Sequence, residues 1–591
     1  MSWTAIRRRL QRWWPGPSPP QRKELPSSGT PLRPRPAPAP PPSGPAGSDQ
    51  QLLPLLKLLR EKLGNSEDVL TREIRLGQQR LGLIFIDGLV DRDSIQNRII
   101  QPLERGPGST GLPANQEQGP LSPPFSARQV YERLIAIADV RVSADPAEMI
   151  QAILEGATVM ASDSWPEAVI ASTEGWEKRD ISEPDIEAVV RGPREGFTEN
   201  LRTNTALLRR RLRTPKLTFA RMRIGTVSNT NITIAWIRGL VNVEVLKEVH
   251  QRLARIEMEA VFESGYLEEW LEDHPWSPFP QILHTERPDR VAGALLEGHV
   301  AILVDNTPMV LIVPATITVL LQSSADYYDR SWISVPVRAI RLLGLLVTLL
   351  VPAIYVALTS FQVELIPTPL MLSIAAQREQ VPYPAVIEAL IMGVVLQILI
   401  EAGVRLPRPV GSAITIVGAI AIGQAAVSAG LVSAAMVIAG SLTALASFAI
   451  PDYSLGATVR WLALAMLLPA ATLGITGILL AGIALLIHLV SLRSFGVPYL
   501  APTAPIYWGG QEDVIWRAPW WKHAKRPPYQ VKQDVRRVGR GRRSSTWSPP
   551  QHPPARSSLR LELEQQRQPR QPGRQPPAEP GGSGEDHEPA R

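Results

Sequence analysis

LGLIFIDGLVDRDSIQNRI at residues 81–99 returns as ITIAWIRGLVNVEVLKEV at residues 232–249. Ile86 falls on Ile237, Gly88 on Gly239, Leu89 on Leu240 and Val90 on Val241, an offset of 151 residues. Just upstream, Leu76-Gly77 falls on Ile224-Gly225 at an offset of 148, as though the second copy carried three extra residues in the intervening hairpin. Each copy reads as a strand turning at Gly, a short apolar strand, a Gly turn, and Asp91 or Asn242 as N-cap of an amphipathic helix. Two related α/β subdomains follow. The glycines serve turns, because a nucleotide loop needs Gly-rich spacing with Lys-Ser/Thr, or G-x-G-x-x-G after a strand, and neither occurs. Further on, HVAILVDNTPMVLIVP (299–314) reads as two apolar strands around Asp305-Asn306-Thr307-Pro308, a hairpin closing the soluble part against the rest.

The second half has different physics. The mean hydropathy of -0.02 hides two runs, 410–450 and 461–492, without a single Asp, Glu, Lys or Arg. These runs exclude a purely soluble protein. LLGLLVTLLVPAIYVALTSF (342–361) gives 20 uncharged residues, about 30 Å of helix, flanked by Arg338 and Arg341. The 410–450 run is twice the length a span needs and is expected to be a hairpin of two spans turning near Ser428-Ala429-Gly430. Residues 461–492 are expected to form one further span, broken or kinked around Pro469 and Gly474. The stretch 385–400, about 24 Å as helix, carries Glu388 and Gln397 and reads as tilted, partial or shielded. Four full spans return both termini to one side, as the positive-inside rule prefers, whereas Arg405 and Arg408 are best placed inside if 385–400 crosses fully, and Arg460 is better inside too, so four and five spans both stay open.

The expected organisation is multi-domain α/β plus α-helical membrane. A basic Pro-rich disordered segment (1–49) precedes a first α/β subdomain (50–125) and a second with its closing hairpin (126–335). A transmembrane bundle of four to five segments (336–495), a motif-bearing segment (496–516) and a basic disordered tail (517–591) complete it. The formal net charge of +7 is concentrated at the ends: residues 1–35 hold eight Lys/Arg and one acid, and 517–543 hold ten and one. On a membrane protein such tails read as facing anionic lipid, and no aromatic-basic module accompanies them to suggest nucleic acid. The N-terminal stretch lacks the apolar core of a secretory signal. Zero cysteines remove disulfides, thiolate metal sites and Cys nucleophiles. Eight scattered His, no H-E-x-x-H and no paired carboxylates with a nucleophile give no enzyme, cofactor or metal site.

Polar groups within the apolar segments are the candidate functional residues. Glu388 lies in the first turn of a helix opened by Pro382-Tyr383-Pro384, where a carboxylate complements the helix dipole. Glu401 and Arg405 stand four apart and can pair. Gln397 and Gln424 lie inside apolar runs and must face protein or water, since an unpaired amide in hydrocarbon costs several kcal/mol. Glu364, just past the first span, could contribute to a ring of negative charge about an axis. A secondary transporter would show two similar membrane halves with broken helices, and apart from the Pro469 kink 337–492 has no such symmetry.

RGPREGFTENLRTNTALLRRRL (191–212), SGYLEEWLED (264–273), SPFPQ (277–281), TERPD (285–289), LLEGHVAILVDNTP (295–308), QSSADYYDR (322–330), IVGAIAIGQAAV (416–427) and SFGVPYLAPTAP (494–505) occur in that order. The chain thereby resembles the GerA-type A-subunit family of bacterial spore germinant receptors over about 50–505. The resemblance implies a multi-pass protein of the spore inner membrane, with N-terminal domain and C-terminal tail cytoplasmic. It implies a homo-oligomer forming a nutrient-gated ion channel beside a transporter-like B-subunit and a lipoprotein C-subunit. The chain departs from the family pattern at Gly393, Gln397 and Ala325, where acidic residues are expected. Fewer acids there weaken the expectation of cation preference and keep open an accessory branch that assists without sensing nutrient.

Overall fold

The computed structural model describes residues 54–76, 79–105, 126–133, 135–175, 184, 187, 189–405, 423–520, 522, 526–527, 531 and 536–537. The repeated motif forms one edge strand and its neighbour in each of two sheets with one topology. After helix α1 (Pro54–Lys62), strands β1 (Val69–Leu76) and β2 (Gln79–Ile86) pair antiparallel, with Val69 opposite Ile86 and Leu76 opposite Gln79. In the second copy, β6 (Leu217–Ile224) and β7 (Thr230–Ile237) pair Leu217 with Ile237 and Ile224 with Thr230. The paired ends enclose residues 77–78 in one hairpin and 225–229 in the other, which accounts for the three extra residues.

The first sheet is completed by β3 (Val140–Ser143), helix α2 (Pro146–Glu155), β4 (Thr158–Ser162) and β5 (Ala168–Ala171), in the order β1-β2-β4-β5-β3. The second is completed by β8 (Leu283–Thr285), β9 (Val300–Val304) and β10 (Val310–Val313), in the order β6-β7-β9-β10-β8. All paired neighbours in both are antiparallel. Gly88 and Gly239 both turn at positive φ, 87° and 81°, which a side chain would oppose. Asp91 then accepts from Asp93 N at 3.0 Å and Asn242 from Glu244 N at 3.1 Å, each opening its helix.

Two expectations are corrected here. The boundary at 125/126 cuts the first sheet, because β3, β4 and β5 pair with one another and with β2, through Leu81 opposite Ser162. The 299–314 hairpin forms, β9 against β10, but inside the second sheet rather than as its closing end. Its strands lie inside the second sheet, buried on both faces as continuous apolar runs, with β8 at the edge.

Helix α3 (Leu201–Arg211) joins the two units. Ala206 packs into the first core, and Leu201, Leu207 and Leu208 pack into the second. Arg209 on the same helix binds Asp68 through Nε at 2.7 Å and Nη2 at 2.9 Å, with both side chains buried. Ser66 adds an acceptor for Arg209 at 3.1 Å and for Phe219 N at 2.9 Å. Beyond the second sheet's outer face lies helix α4 (Val243–Ala254), and on its inner face helix α5 (Pro288–Leu296).

The inner core runs without interruption into the apolar helices. Helix α6 (Ser331–Ser360) is followed by α7 (Thr368–Arg378), α8 (Ala385–Arg405), α9 (Ala434–Ser447), α10 (Tyr453–Leu473) and α11 (Ile475–Ser491). Among the described residues three helices, Ser331–Ser360, Ala385–Gly403 and Tyr453–Leu473, are long and apolar enough to cross a membrane, and α9 and α11 are apolar but shorter. The stretch 385–400, read as partial or tilted, is part of a 21-residue helix. The second limb of the expected 410–450 hairpin is α9, entered by a turn at Gly430, while residues 406–422 lie outside the described residues.

Residues 461–492 are two helices rather than one kinked span. Thr458 donates to Pro278 O at 2.6 Å, and His488 shares a 2.9 Å hydrogen bond with Ser277, so α10 begins and α11 ends beside the second subdomain. The turn between them is at Gly474, with φ 59° and ψ -139°, a conformation that glycine alone adopts readily. There Gln362, just past α6 at the far end of the bundle, accepts from Ile475 N at 3.2 Å.

The segment after α11 returns to the soluble domain. Strands β11 (Arg493–Ser494) and β12 (Val497–Pro498) pair, Ser494 accepts from Ala315 N and donates to Gln281 O, and Tyr499 O accepts from Ile317 N. The expectation of a disordered tail from 517 is corrected for its first part. Arg526 donates to Leu296 O at 2.8 Å, Val531 is buried in the second core, and Arg537 pairs with Glu297 at 2.9 Å. The described stretch begins at Pro54, so the N-terminal Pro-rich segment lies outside it, as does the tail beyond 537.

Candidate functional site

Helices as apolar as α6 to α11 leave few polar side chains, and each needs a partner once water is removed. The structure gathers most of them between α6, α8, α9 and α10. Glu388 is 0% exposed. One carboxylate oxygen accepts from the backbone N of Ser433 at 2.6 Å and from the Ser433 hydroxyl, and the other lies 3.8 Å from Arg378 Nε without a hydrogen bond. Tyr355 of α6 shares a 3.0 Å hydrogen bond with the same hydroxyl. Ser433 is also the N-cap of α9, accepting from Met436 N, so the carboxylate reinforces the start of that helix. Glu388 does lie in the first turn of its own helix, as expected, and it also reinforces the N-terminus of α9.

Toward the soluble end, Arg460 of α10 donates through Nε to Gln397 Oε1 of α8 at 3.3 Å, while its buried Nη2 has no hydrogen-bond partner. Glu401, one turn further along α8, interacts electrostatically with Arg460 and is exposed. A cavity of about 50 Å³ lies here, lined by Pro352, Gly393, Gln397, Thr443 and Arg460 among others. This is room for a water or two. Glu364 and Gln424 stand apart from these groups, both on the exposed surface, and Gln424 contributes its carbonyl to Ser428 Oγ at 2.8 Å. The side chain of Arg405 lies outside the described residues.

Arg378, Tyr355, Ser433 and Arg460 were not singled out as site residues from the sequence. Arg460 carried a readable signal, standing alone just before the uncharged run 461–492.

A second polar cluster couples the bundle to the soluble domain. Arg338, at the base of α6, donates to Asp326 at 3.1 Å, to Asp513 Oδ1 at 2.8 Å, and to the carbonyls of Asp513 and Val514. Arg341 reaches Asp326 at 2.6 Å, and Tyr327 donates to Asp513 Oδ2 at 2.7 Å. Burial together with the Asp513 charge pushes the Tyr327 hydroxyl far above its ordinary range, so it stays a donor. The QSSADYYDR motif therefore clasps the segment after the last helix. At the subdomain junction, a cavity of about 350 Å³ is lined by Asp91, Arg92, Asn200, Arg202 and Arg210 among others.

Residues 57–529 match the family described as Bacillus/Clostridium GerA spore germination protein. The chain belongs to the GerA family. Spore germination protein KA of Bacillus subtilis (strain 168) is 43% identical over 509 residues, covering 86% of this chain and 90% of that protein. Spore germination protein GerLA of Bacillus cereus is 38% identical over 485 residues, covering 82% and 96%. The solved N-terminal domain of the A subunit of the Bacillus megaterium spore germinant receptor GerK3 is 32% identical. It covers 44% of this chain and 93% of that one, with a TM-score of 0.34. GerA membership is what the ordered motifs between 191 and 505 implied, and the match extends to residues that pack on the second subdomain after α11.

Proposed function

We propose that this GerA-family chain is the A-type membrane subunit of a nutrient-responsive spore germination receptor. Several copies surround a gated ion pathway that releases ions at the start of germination. The protein sits in the spore inner membrane, with the paired subdomains and the basic tail on the cytoplasmic side. Its partners are a transporter-like B-subunit and a lipoprotein C-subunit, as the relatives' family suggests. The observation that carries the pathway is the buried Glu388, with one oxygen lacking a hydrogen bond, together with the Gln397–Arg460 contact and the small cavity beside it between the apolar helices. Homo-oligomerisation is supported by Glu401 and Gln424, which a single copy leaves exposed on apolar helices. A neighbouring copy or a wet axis would relieve that cost.

The test is ion flux from vesicles holding the chain with its two partners, with and without nutrient. Nutrient-dependent flux is expected, and its absence in a complex of correct composition would overturn the reading. Glu388→Gln keeps the shape and the acceptor to Ser433 but removes the charge. A charge-assisted hydrogen bond contributes about 1.5–3 kcal/mol, so the open-to-closed ratio should change by about ten- to a hundredfold. Unchanged flux in that variant would remove Glu388 from the gate. Gly393, Gln397 and Ala325 favour a second reading, an accessory channel or scaffold of the same family without nutrient sensing. Flux that ignores nutrient would support it.

A further inference from the structure

Five tryptophans stand out at the end of the bundle nearest the soluble domain. Trp276 is 100% exposed, Trp332 68% and Trp516 69%, and Trp508 and Trp520 are exposed as well. Four of them are placed by their own or their neighbours' contacts with the helix bases. Trp276 precedes Ser277, which bonds His488 in the last turn of α11. Trp332 lies in the first turn of α6, ten residues before the uncharged stretch at 342. Trp516 lies between Val514, whose carbonyl binds Arg338 on α6, and Arg517, whose guanidinium binds Asp329 O at 2.8 Å. Trp520 donates through its indole N–H to Tyr327 O at 3.3 Å. Residues far apart in sequence thus converge on the region where apolar helices give way to the soluble domain.

We infer that these tryptophans form a collar that seats the second subdomain directly on the phospholipid headgroup layer. The inference deepens the membrane placement proposed above and does not depend on ion conduction. The indole ring pairs an apolar body with a single polar N–H, which favours the boundary between headgroup and acyl chain. Trp276, Trp332 and Trp516 are largely exposed without a packing partner in the fold, and their clustering where the helices meet the soluble domain makes a surface rather than scattered exceptions. Arg330, Arg493 and Lys522 are exposed near these positions, with Asp329 and Glu512 beside them and with Glu244, Glu248, Glu272 and Asp273 lining the same surface as Arg493. The charge is mixed, so it is the indoles that commit the occupant, a phospholipid headgroup layer.

The absence of cysteine allows the collar to be probed without background. Full-length protein carrying Trp276→Cys, Trp332→Cys or Trp516→Cys is spin-labelled and reconstituted in phosphatidylglycerol-containing vesicles. Collisions with oxygen and with a water-soluble nickel complex are then compared. Val227→Cys, in the exposed β6–β7 loop, marks bulk water, and Ile483→Cys, exposed on α11, marks hydrocarbon. The expected result is an oxygen-to-nickel ratio at all three collar sites between those two references. Nickel access equal to that at 227 overturns the inference. So does dipolar broadening that vanishes on dilution with unlabelled chain, which would make the surface an interface between copies. If 483 itself reads as water, the bundle's membrane placement has failed rather than the collar.

Discussion

Replacing Asp68 with alanine should unfasten the two subdomains from each other. Arg209 is 1% exposed and Asp68 5%, and the pair is bidentate at 2.7 and 2.9 Å. Asp68→Ala leaves a guanidinium in the interior with the carbonyl of Thr214, the hydroxyl of Ser66 and the ring of Phe219, 5.0 Å away, as its remaining neighbours. Breaking a buried pair from one side costs about 3–5 kcal/mol, mostly because the surviving charge is uncompensated. A unit of this size loses about 2–4 °C of melting temperature per kcal/mol, so the transition should fall by roughly 6–20 °C. The assay is thermal unfolding of the full-length protein in detergent, followed by intrinsic tryptophan fluorescence. The control is Asp68→Leu with Arg209→Met, which removes both charges and should cost less than Asp68→Ala alone. A melting point within about 2 °C of wild type for Asp68→Ala, or a double variant as unstable as the single, would refute the argument that this pair fastens the domains.

Two further outcomes follow from local geometry. Gly474→Ala forces a Cβ to within 2.6 Å of Gln362 Oε1 and 2.9 Å of Phe361 Cβ, at a backbone conformation disfavoured for alanine. It should destabilise the α10–α11 hairpin by about 1–3 kcal/mol or more, read as earlier proteolysis near residue 474, and wild-type resistance would refute the hairpin geometry. Glu272 and His299 should give opposite pH dependences. Burial raises Glu272 to about 7, so the stability it confers is full below the ordinary carboxylate value of 4.5 and is lost as pH rises through 7. Burial lowers His299 to about 4, so its contribution is present above 6.5 and is lost as pH falls toward 4. The two offset each other between pH 5 and 6.5. Glu272→Gln should therefore make stability rise more steeply with pH there and His299→Gln should make it fall more steeply, and melting curves with the reverse order would sink the assignment.

The first hairpin of each sheet was legible because its signals are local. Gly turn, apolar strand, Gly turn and N-cap occupy about twenty residues, and the three-residue difference in hairpin length could be counted without coordinates. Strands β3 to β5 were not legible, since they are four or five residues long and TVMAS in the first sheet shares no pattern with VAILV in the second. At Gly474 the sequence signalled an interruption, but contacts with Gln362 and Ser277, 113 and 211 residues from their partners, decide that the chain reverses. The same distance problem hid the site. Glu388 meets Ser433 45 residues on and Gln397 meets Arg460 63 residues on, so the isolated polar residues could be picked out while their pairing could not. Composition also misled about the start of the tail, where abundant Arg and Pro concealed Val531, which packs into the second core.

The chain enters the apolar bundle through α6 and leaves it through α11, and both doorways are riveted to the same block by Arg338, Asp326 and Asp513 on one side and Ser277 with Ser494 on the other. A circuit of chain and non-covalent contacts is thereby closed through a common base. Neither the first nor the last helix can tilt or slide without dragging that base, whereas α8, the least buried of the long helices, is held to α9 by the Glu388–Ser433 contact and is the freer one to move.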